Sequence, residues 1–423
     1  MFPTTFFNVR AFGAMGDGIA LDTRAIQNAI DAAAERGGTV FVPAGKFLTG
    51  ALFLRDHITL HLDAGALLLG SENPADYPIV TMRWEGVTQP TRAPLITGSG
   101  LKNIAVIGRG AIDGRGEGWW RAHRAKTLDA PRPRLIAFAN CNNILIEGVT
   151  LVNSPAWTIN PVLCENVTVN QVTIHNPPDS PNTDGINPDS CRNVHISNCH
   201  IDVGDDCITI KSGIETESRD LLAPCENITI TNCTMVHGHG GVVIGSEMSG
   251  GVRNVVIANC IFVGTDRGIR LKSRRGRGGF IEDIRATNIV MADVLCPFTM
   301  NLYYHIHKRG DKYVSAKHAQ PISDGTPRFR RVHLAHITAR GVKIAAGFLY
   351  GLPEMPIEDI MLDDVAIALD RNAEPGFADM ADDIPQQHAA GFFARNVSGL
   401  RLRDVRIENQ IGEELLLENV TQT

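Results

Sequence analysis

No stretch of this chain reaches the roughly 18 consecutive apolar residues that a membrane-spanning helix needs. Its start, Met1-Phe2-Pro3-Thr4-Thr5-Phe6-Phe7, has neither a basic opening nor an apolar run of signal-peptide length. The sequence therefore predicts a cytoplasmic protein, or a secreted or periplasmic one where a leader has been removed from a longer precursor. Excess positive charge is absent too. Lys and Arg number 40 against 46 Asp and Glu, a formal net charge of −6, so nothing global favours nucleic acid or an anionic membrane surface. The nine cysteines (141, 164, 191, 199, 207, 225, 233, 260, 296) are odd in number and form no CxxC pair. That pattern argues against a zinc cluster or a complete disulfide set. Aromatic residues are only 6% of the chain.

What is present is apolar material for a large core, 43% of 423 residues, with 41 glycines to turn the chain often. One segment has clear helical periodicity. Over residues 22–36, Asp22 or Thr23 is placed to cap a helix, Ile26, Ala29, Ile30 and Ala33 share a face, and Gly37-Gly38 stops it. From residue 39 onward the chain reads as short alternating runs, such as His57-Ile58-Thr59-Leu60-His61-Leu62, separated by Gly, Asn and Asp. Strands without intervening helices exclude a doubly wound fold.

One phrase recurs: Cys-x-Asn and a branched apolar residue. It appears at Cys141-Asn142-Asn143-Ile144, Cys164-Glu165-Asn166-Val167, Cys191-Arg192-Asn193-Val194 and Cys225-Glu226-Asn227-Ile228, and in degenerate form at Gly251-Val252-Arg253-Asn254-Val255. Several short strands per repeat with no repeat helix predict an all-β, single-domain, right-handed parallel β-helix, a solenoid whose stacked coils bury one core. The helix would cap its N-terminal end. Residues 1–40 then form the cap region, 90–305 the catalytic coils and 306–423 the C-terminal coils and loops. The repeated Cys and Asn are read as small internal stacks that fill the coil and pair its turns.

Aligning the coils exposes a second pattern. Ile159-Asn160-Pro161 matches Ile186-Asn187-Pro188, and Ile208-Thr209-Ile210, Val242-Val243-Ile244 and Ile269-Arg270-Leu271 match one another. In this register Asp184 falls beside Asp206 and Asp205 beside His239, neighbouring coils lying about 4.8 Å apart. Stacked like charges are costly, and three carboxylates with an imidazole on one strip point to chemistry. Strand parity turns Ile269 and Leu271 to the core, so Arg270 and Lys272 face out beside the acids, a place for an anionic substrate. Arg274, Arg275 and Arg277 read as loop charge. Paired carboxylates without a metal-ligand cluster suit glycosidic cleavage, in which one acid protonates the leaving oxygen and others activate water. A nucleophilic triad has no Ser, His and acid sharing the strip.

At these residues the sequence resembles the polygalacturonases, glycoside hydrolase family 28. Four motifs carry the resemblance: Asn182-Thr183-Asp184-Gly185, Gly204-Asp205-Asp206, Gly238-His239-Gly240 and Arg270-Leu271-Lys272, with Leu in place of the usual Ile. Arg132-Pro133-Arg134-Leu135-Ile136 and Asn153-Ser154-Pro155-Ala156-Trp157-Thr158 also look like the family, so the likeness covers roughly residues 90–305. It implies a right-handed parallel β-helix that hydrolyses α-1,4 bonds of galacturonan with inversion, without cofactor or metal. Asp205 would be the general acid, Asp184 and Asp206 would hold the attacking water, and His239 would orient or tune Asp205. Arg270 and Lys272 would bind the uronate carboxylate, and Tyr303, or Tyr304 beside it, would touch substrate. Inversion also leads us to expect Asp205 at about 6.5–9.5 Å from the other two carboxylates.

The expected partner is galacturonan or an oligogalacturonide, with no nucleic acid and no membrane. Other pectic glycans that contain uronate, rhamnogalacturonan or xylogalacturonan, stand as the alternative. Behind them come a calcium-dependent lyase and a non-catalytic glycan-binding β-helix. Exo attack is expected, because an unexported enzyme would meet short oligosaccharides, and the loops around Trp119-Trp120 and residues 213–224 are placed to close one end of a groove.

Overall fold

The computed structural model describes residues 6–423. Residues 1–5, part of the stretch read above for an export signal, lie outside the described residues. The chain divides into two compact units, the first ending at Asp205 and the second beginning at Asp206. Each is a stack of parallel β coils, as the repeats require.

In the first unit, strands recur in three ladders. Leu60, Val106, Ile146, Val169 and Ile196 stand in register down one of them, and Leu68, Ile112, Leu151, Ile174 and Ile201 represent the second face. The third carries Leu52, Ile96, Ile136 and Ile159, with Ile159 bridging to Ile186 as the coil alignment predicted. All of these side chains are buried. Period-two alternation makes this possible, since every second residue of each strand faces inward.

The N-terminal helix spans Thr23–Ala34 and buries the four expected residues, Ile26, Ala29, Ile30 and Ala33. It packs on strand Gly38–Val42 and covers that end of the stack. Asp22 occupies the cap position, but its carboxylate accepts from the backbone N–H groups of Met15 and Gly16, at 2.7 and 3.0 Å. Two further helices and one hairpin were not legible in the repeat. Glu117–Arg124 is helical, and its Trp119 and Trp120 are buried rather than displayed on a loop. Lys312–Ser315 forms a single helical turn. Ile79–Trp84 and Val87–Arg92 make an antiparallel hairpin, docked by Arg83 on Asp189 at 2.5 Å and by Trp84 stacked on Trp157 at 5.1 Å.

The second unit repeats the plan. Ile208, Val242, Ile269 and Phe298 form one buried ladder, and Ile230, Ile257, Ala286, Leu334, Leu362 and Leu402 another. No helix among the described residues is long and apolar enough to cross a membrane.

The Cys and Asn stacks separate. All nine cysteines are buried and unbridged, and some stack inside the coils as expected: the Cys141 N–H donates to Cys164 Sγ at 3.4 Å. The asparagines do not fill the interior. Asn143 donates to Asn103, Asn193 to Asn166, Asn254 to Asn227 and Asn288 to Asn259, at 2.6–3.1 Å, on the outer surface. Each has φ near +55 to +61°. Asn tolerates this left-handed conformation better than other side chains, so the repeat marks where the coil turns a corner.

Candidate active site

The sequence candidates fall in both units, and each cluster has its own construction. In the first unit Asp184 follows a turn in which Asn182 takes φ 53°. The turn is held from several sides. Asn176 Nδ2 donates to the Thr183 carbonyl at 3.1 Å, and Arg132 Nη2 donates to Asn182 Oδ1 at 2.7 Å. The Asp184 carboxylate is 3% exposed and accepts from Asn187 Nδ2 at 3.0 Å. Asp205 is half-buried. It follows Gly204, where a Cβ would stand 2.5 Å from the Pro177 carbonyl and 2.7 Å from that of Ser180, so only glycine lets the Asp205 turn lie this close.

Oxygens of Asp184 and Asp205 come within 4.8 Å of each other. The two residues sit on successive coils, and a coil advances by one strand spacing, about 4.8 Å. The carboxylate gap therefore follows from the fold and does not by itself indicate stereochemistry.

Arg132 is 1% exposed, and its guanidinium also donates to the carbonyls of Pro155 and Pro181 at 2.9 and 2.7 Å. Burial lowers its pKa to about 10 against the opposing pull of Glu85, Asp184 and Asp205.

In the second unit Asp206 is the centre. Lys272 Nζ donates to Asp206 Oδ2 at 2.8 Å, and Arg270 Nη1 lies 3.7 Å from Oδ1. Burial works against the Asp206 charge, but Lys272 and Arg270, with His239 beyond them, hold its pKa down at about 2. Arg270 and Lys272 are only 2% and 7% exposed, so they form a buried ion network rather than an open cationic rim. Arg270 Nη2 donates to Asp379 Oδ1 at 2.6 Å, and Asp379 is 1% exposed. Arg270 and Arg267 keep Asp379 below the usual carboxylate range despite its burial. Arg267 also ties the 377–380 segment by donating to the carbonyls of Phe377 and Ala378.

His239 Nδ1 lies 2.9 Å from Asp266 Oδ2. Tyr304 places its ring 5.3 Å from both the Arg270 guanidinium and the Lys272 ammonium. Tyr303 instead stacks on Tyr350 at 4.3 Å, under Lys317. Of the two tyrosines, Tyr304 is the one against Arg270 and Lys272. Arg274 and Arg277 both bind Glu215, at 2.7 and 2.5 Å, and Arg275 pairs with Glu354, so this arginine run fastens loops.

Sequence reasoning passed over Arg132, Asn176, Asp266 and Asp379 as site residues. Asp266 had a signal: the Val242 to Ile269 register that places Arg270, continued outward, sets Asp266 beside His239. Asp379 had none, because residues 370–389 lie outside the repeat. Trp120, but not Trp119, lines a cavity of about 620 Å³ with Arg121, Arg124, Asn153 and Asp179, and that lining includes neither Asp184 nor Asp205.

Stacked coils of parallel strands that carry carboxylates paired with lysine and arginine define a parallel β-helix, a fold that by itself does not fix an activity. The profile of Glycosyl hydrolases family 28 matches residues 39–367, and the chain belongs to that family. A second profile, Rhamnogalacturonase A/epimerase, pectate lyase-like, matches residues 6–64. The chain is 35% identical over 374 residues to a probable polygalacturonase of Vitis vinifera, covering 86% of this chain and 74% of that one. It is 31% identical over 304 residues to an endo-polygalacturonase of Pectobacterium carotovorum subsp. carotovorum, covering 67% and 72%. Among solved structures, a hyperthermoactive exopolygalacturonase from Thermotoga maritima superposes with a TM-score of 0.81 at 29% identity, over 96% of this chain and 93% of the other.

Proposed function

We propose that this protein hydrolyses α-1,4 glycosidic bonds of galacturonan or its oligosaccharides, releasing units from a chain end. The observation that carries the reading is Asp206, a buried carboxylate kept ionised by Lys272 and Arg270, joined by one peptide bond to the half-buried Asp205. A carboxylate fixed in its charged form accepts hydrogen bonds from a water and orients it, and a more exposed neighbour is suited to carry a proton to the leaving oxygen. Asp205 is the general acid. Asp184 and Asp206 hold the water, and His239, oriented by Asp266, tunes the acid. Lys272 and Arg270, through N–H donors other than those given to Asp206 and Asp379, receive the uronate carboxylate beside Tyr304, a role for which charge-assisted hydrogen bonds are suited.

The inverting course rests on the family resemblance. Exo attack is supported by the likeness to the Thermotoga maritima exopolygalacturonase, and the Pectobacterium carotovorum endo-polygalacturonase stands on the other side. Rhamnogalacturonan is the second reading, favoured by the N-terminal profile match alone.

The test is a product time course on galacturonan, rhamnogalacturonan and xylogalacturonan, with and without chelator, and with proton NMR of the first-formed anomer. Monogalacturonate from the earliest times with inverted configuration is the expected result. A ladder of mid-sized oligomers with a rapid viscosity drop overturns exo attack, a retained anomer overturns the mechanism, and release from rhamnogalacturonan alone moves the substrate.

A further inference from the structure

Arg132 is a cation for which the reaction outlined above has no use, and it is built into the first unit with care. Its guanidinium meets three acceptors, the carbonyls of Pro155 and Pro181 and Oδ1 of Asn182. None of these is charged. The residue is 1% exposed, and burying a guanidinium without a bonded carboxylate costs several kcal/mol in effect. A structural tie for the 181–182 turn needs no charge, because an amide side chain offers a donor at far lower desolvation cost.

The charge has somewhere to act. Asp184 and Asp205 both feel Arg132, as does Glu85 on the hairpin tip, and Arg124 and His123 are the cationic and titratable groups on the neighbouring helix. The hydrogen bonds act on the same place, since Asn182 is two residues before Asp184 and Pro155 is three residues before Thr158, whose N–H donates to the Asp184 carbonyl at 2.9 Å.

We infer that Arg132 is a positioning residue for hydrolysis: its forked guanidinium sets the Asn182-Thr183-Asp184 turn, and its buried charge sets the pH range over which Asp184 and Asp205 work. The inference rests on the proposed roles of those two carboxylates. Arg132 does not touch the substrate. It acts through the turn it holds and through the field it places on the pair.

The two halves separate by substitution. Arg132→Gln removes the charge. A nearby cation favours the ionised form of a carboxylate, so without it both carboxylates bind protons more tightly. Both limbs of the pH profile of kcat/KM then move to higher pH, by about 1 unit. Arg132→Lys keeps the charge but cannot span three acceptors with one ammonium. Its limbs stay in place while kcat falls about 10- to 100-fold through misplacement of the turn, with KM little changed.

Carboxyl carbon-13 titration of Asp-labelled protein, with the signals assigned by their loss in Asp184→Asn and Asp205→Asn, reads the same shift without substrate. The inference therefore stands or falls apart from the proposed activity: a wild type that cuts no pectic glycan refutes the activity, and the titration still judges Arg132. Unmoved titrations in Arg132→Gln overturn the electrostatic half. A wild-type kcat in Arg132→Lys overturns the positioning half. Should the Gln variant fail to fold, titrations that move in the folded Lys variant overturn the electrostatic half, since there the charge is retained.

Discussion

Replacing Asp379 by Asn should destabilise the second unit by about 3 kcal/mol, although Asp379 lies far along the chain from the strands it serves. Asp206 and Asp379 balance Arg270 and Lys272 in a buried network: Arg270 lies 2.6 Å from Asp379 and 3.7 Å from Asp206, and Lys272 lies 2.8 Å from Asp206. Removing one partner of a buried pair costs about 3–5 kcal/mol, because the other charge is left uncompensated. The low end applies because Asp206 still faces Arg270. At an effective dielectric near 20, the Arg270 to Asp379 attraction alone is about 6 kcal/mol, and the amide recovers part of it by accepting a hydrogen bond.

The assay is guanidinium unfolding of wild type, Asp379→Asn, Arg270→Gln and the double variant, followed by a probe in the second unit. In the double variant Asp206 keeps Lys272 and no buried charge is orphaned, so its loss should fall short of the sum of the single losses by about 2 kcal/mol, within the range for residues in contact. A loss under 1 kcal/mol in Asp379→Asn, or strictly additive losses, refutes the network. The result would then mean that water or rearrangement solvates Arg270.

Asp205→Asn should lower kcat about 10²–10⁴-fold with the fold and substrate binding kept, since an amide matches the shape but delivers no proton; near-normal turnover in the pure, folded variant removes Asp205 as the acid. Lys272→Gln should raise KM for galacturonan and narrow its advantage over the methyl ester, and equal wild-type rates on the two polymers would refute uronate recognition. Asp206, with a folded pKa of about 2 against an ordinary 3.8, contributes stability that is fully present above about pH 4 and lost as pH falls through 2. The contribution is about 2 kcal/mol, so the acid-unfolding limb should flatten in Asp206→Asn; an unchanged limb refutes the assignment.

The coil-to-coil register is legible in the sequence because a solenoid writes its geometry as spacing. A residue and its partner one coil away share a position in the repeat, so Ile159 pairs with Ile186, and Val242 with Ile269, on spacing alone. The helix Thr23–Ala34 is equally readable, since an amphipathic stripe and its stop signals are local. The same logic locates Asp184, Asp205, Asp206, His239, Arg270 and Lys272, and carried further it reaches Asp266.

It misplaces the asparagines, because a recurring residue announces a repeated position without saying which side of the backbone faces water. Only the left-handed φ values put them on the corners. Nor can periodicity find the hairpin at 79–92, the helix at 117–124 or Asp379, all of which lie on insertions between coils.

By itself the sequence determined the repeating frame, the strands that carry the candidate site and the family to which the chain belongs. The tertiary structure alone decided the electrostatic state of the candidate groups: that Arg270 and Lys272 are buried partners of acids, that Asp379 and not an open rim faces Arg270, that Tyr304 rather than Tyr303 lies against Arg270 and Lys272, and that Arg132 sits uncompensated by any bonded carboxylate near Asp184 and Asp205. The reason is that ionisation depends on burial and on the distance to every neighbouring charge, and those distances are set by loops whose return to the coils obeys no period.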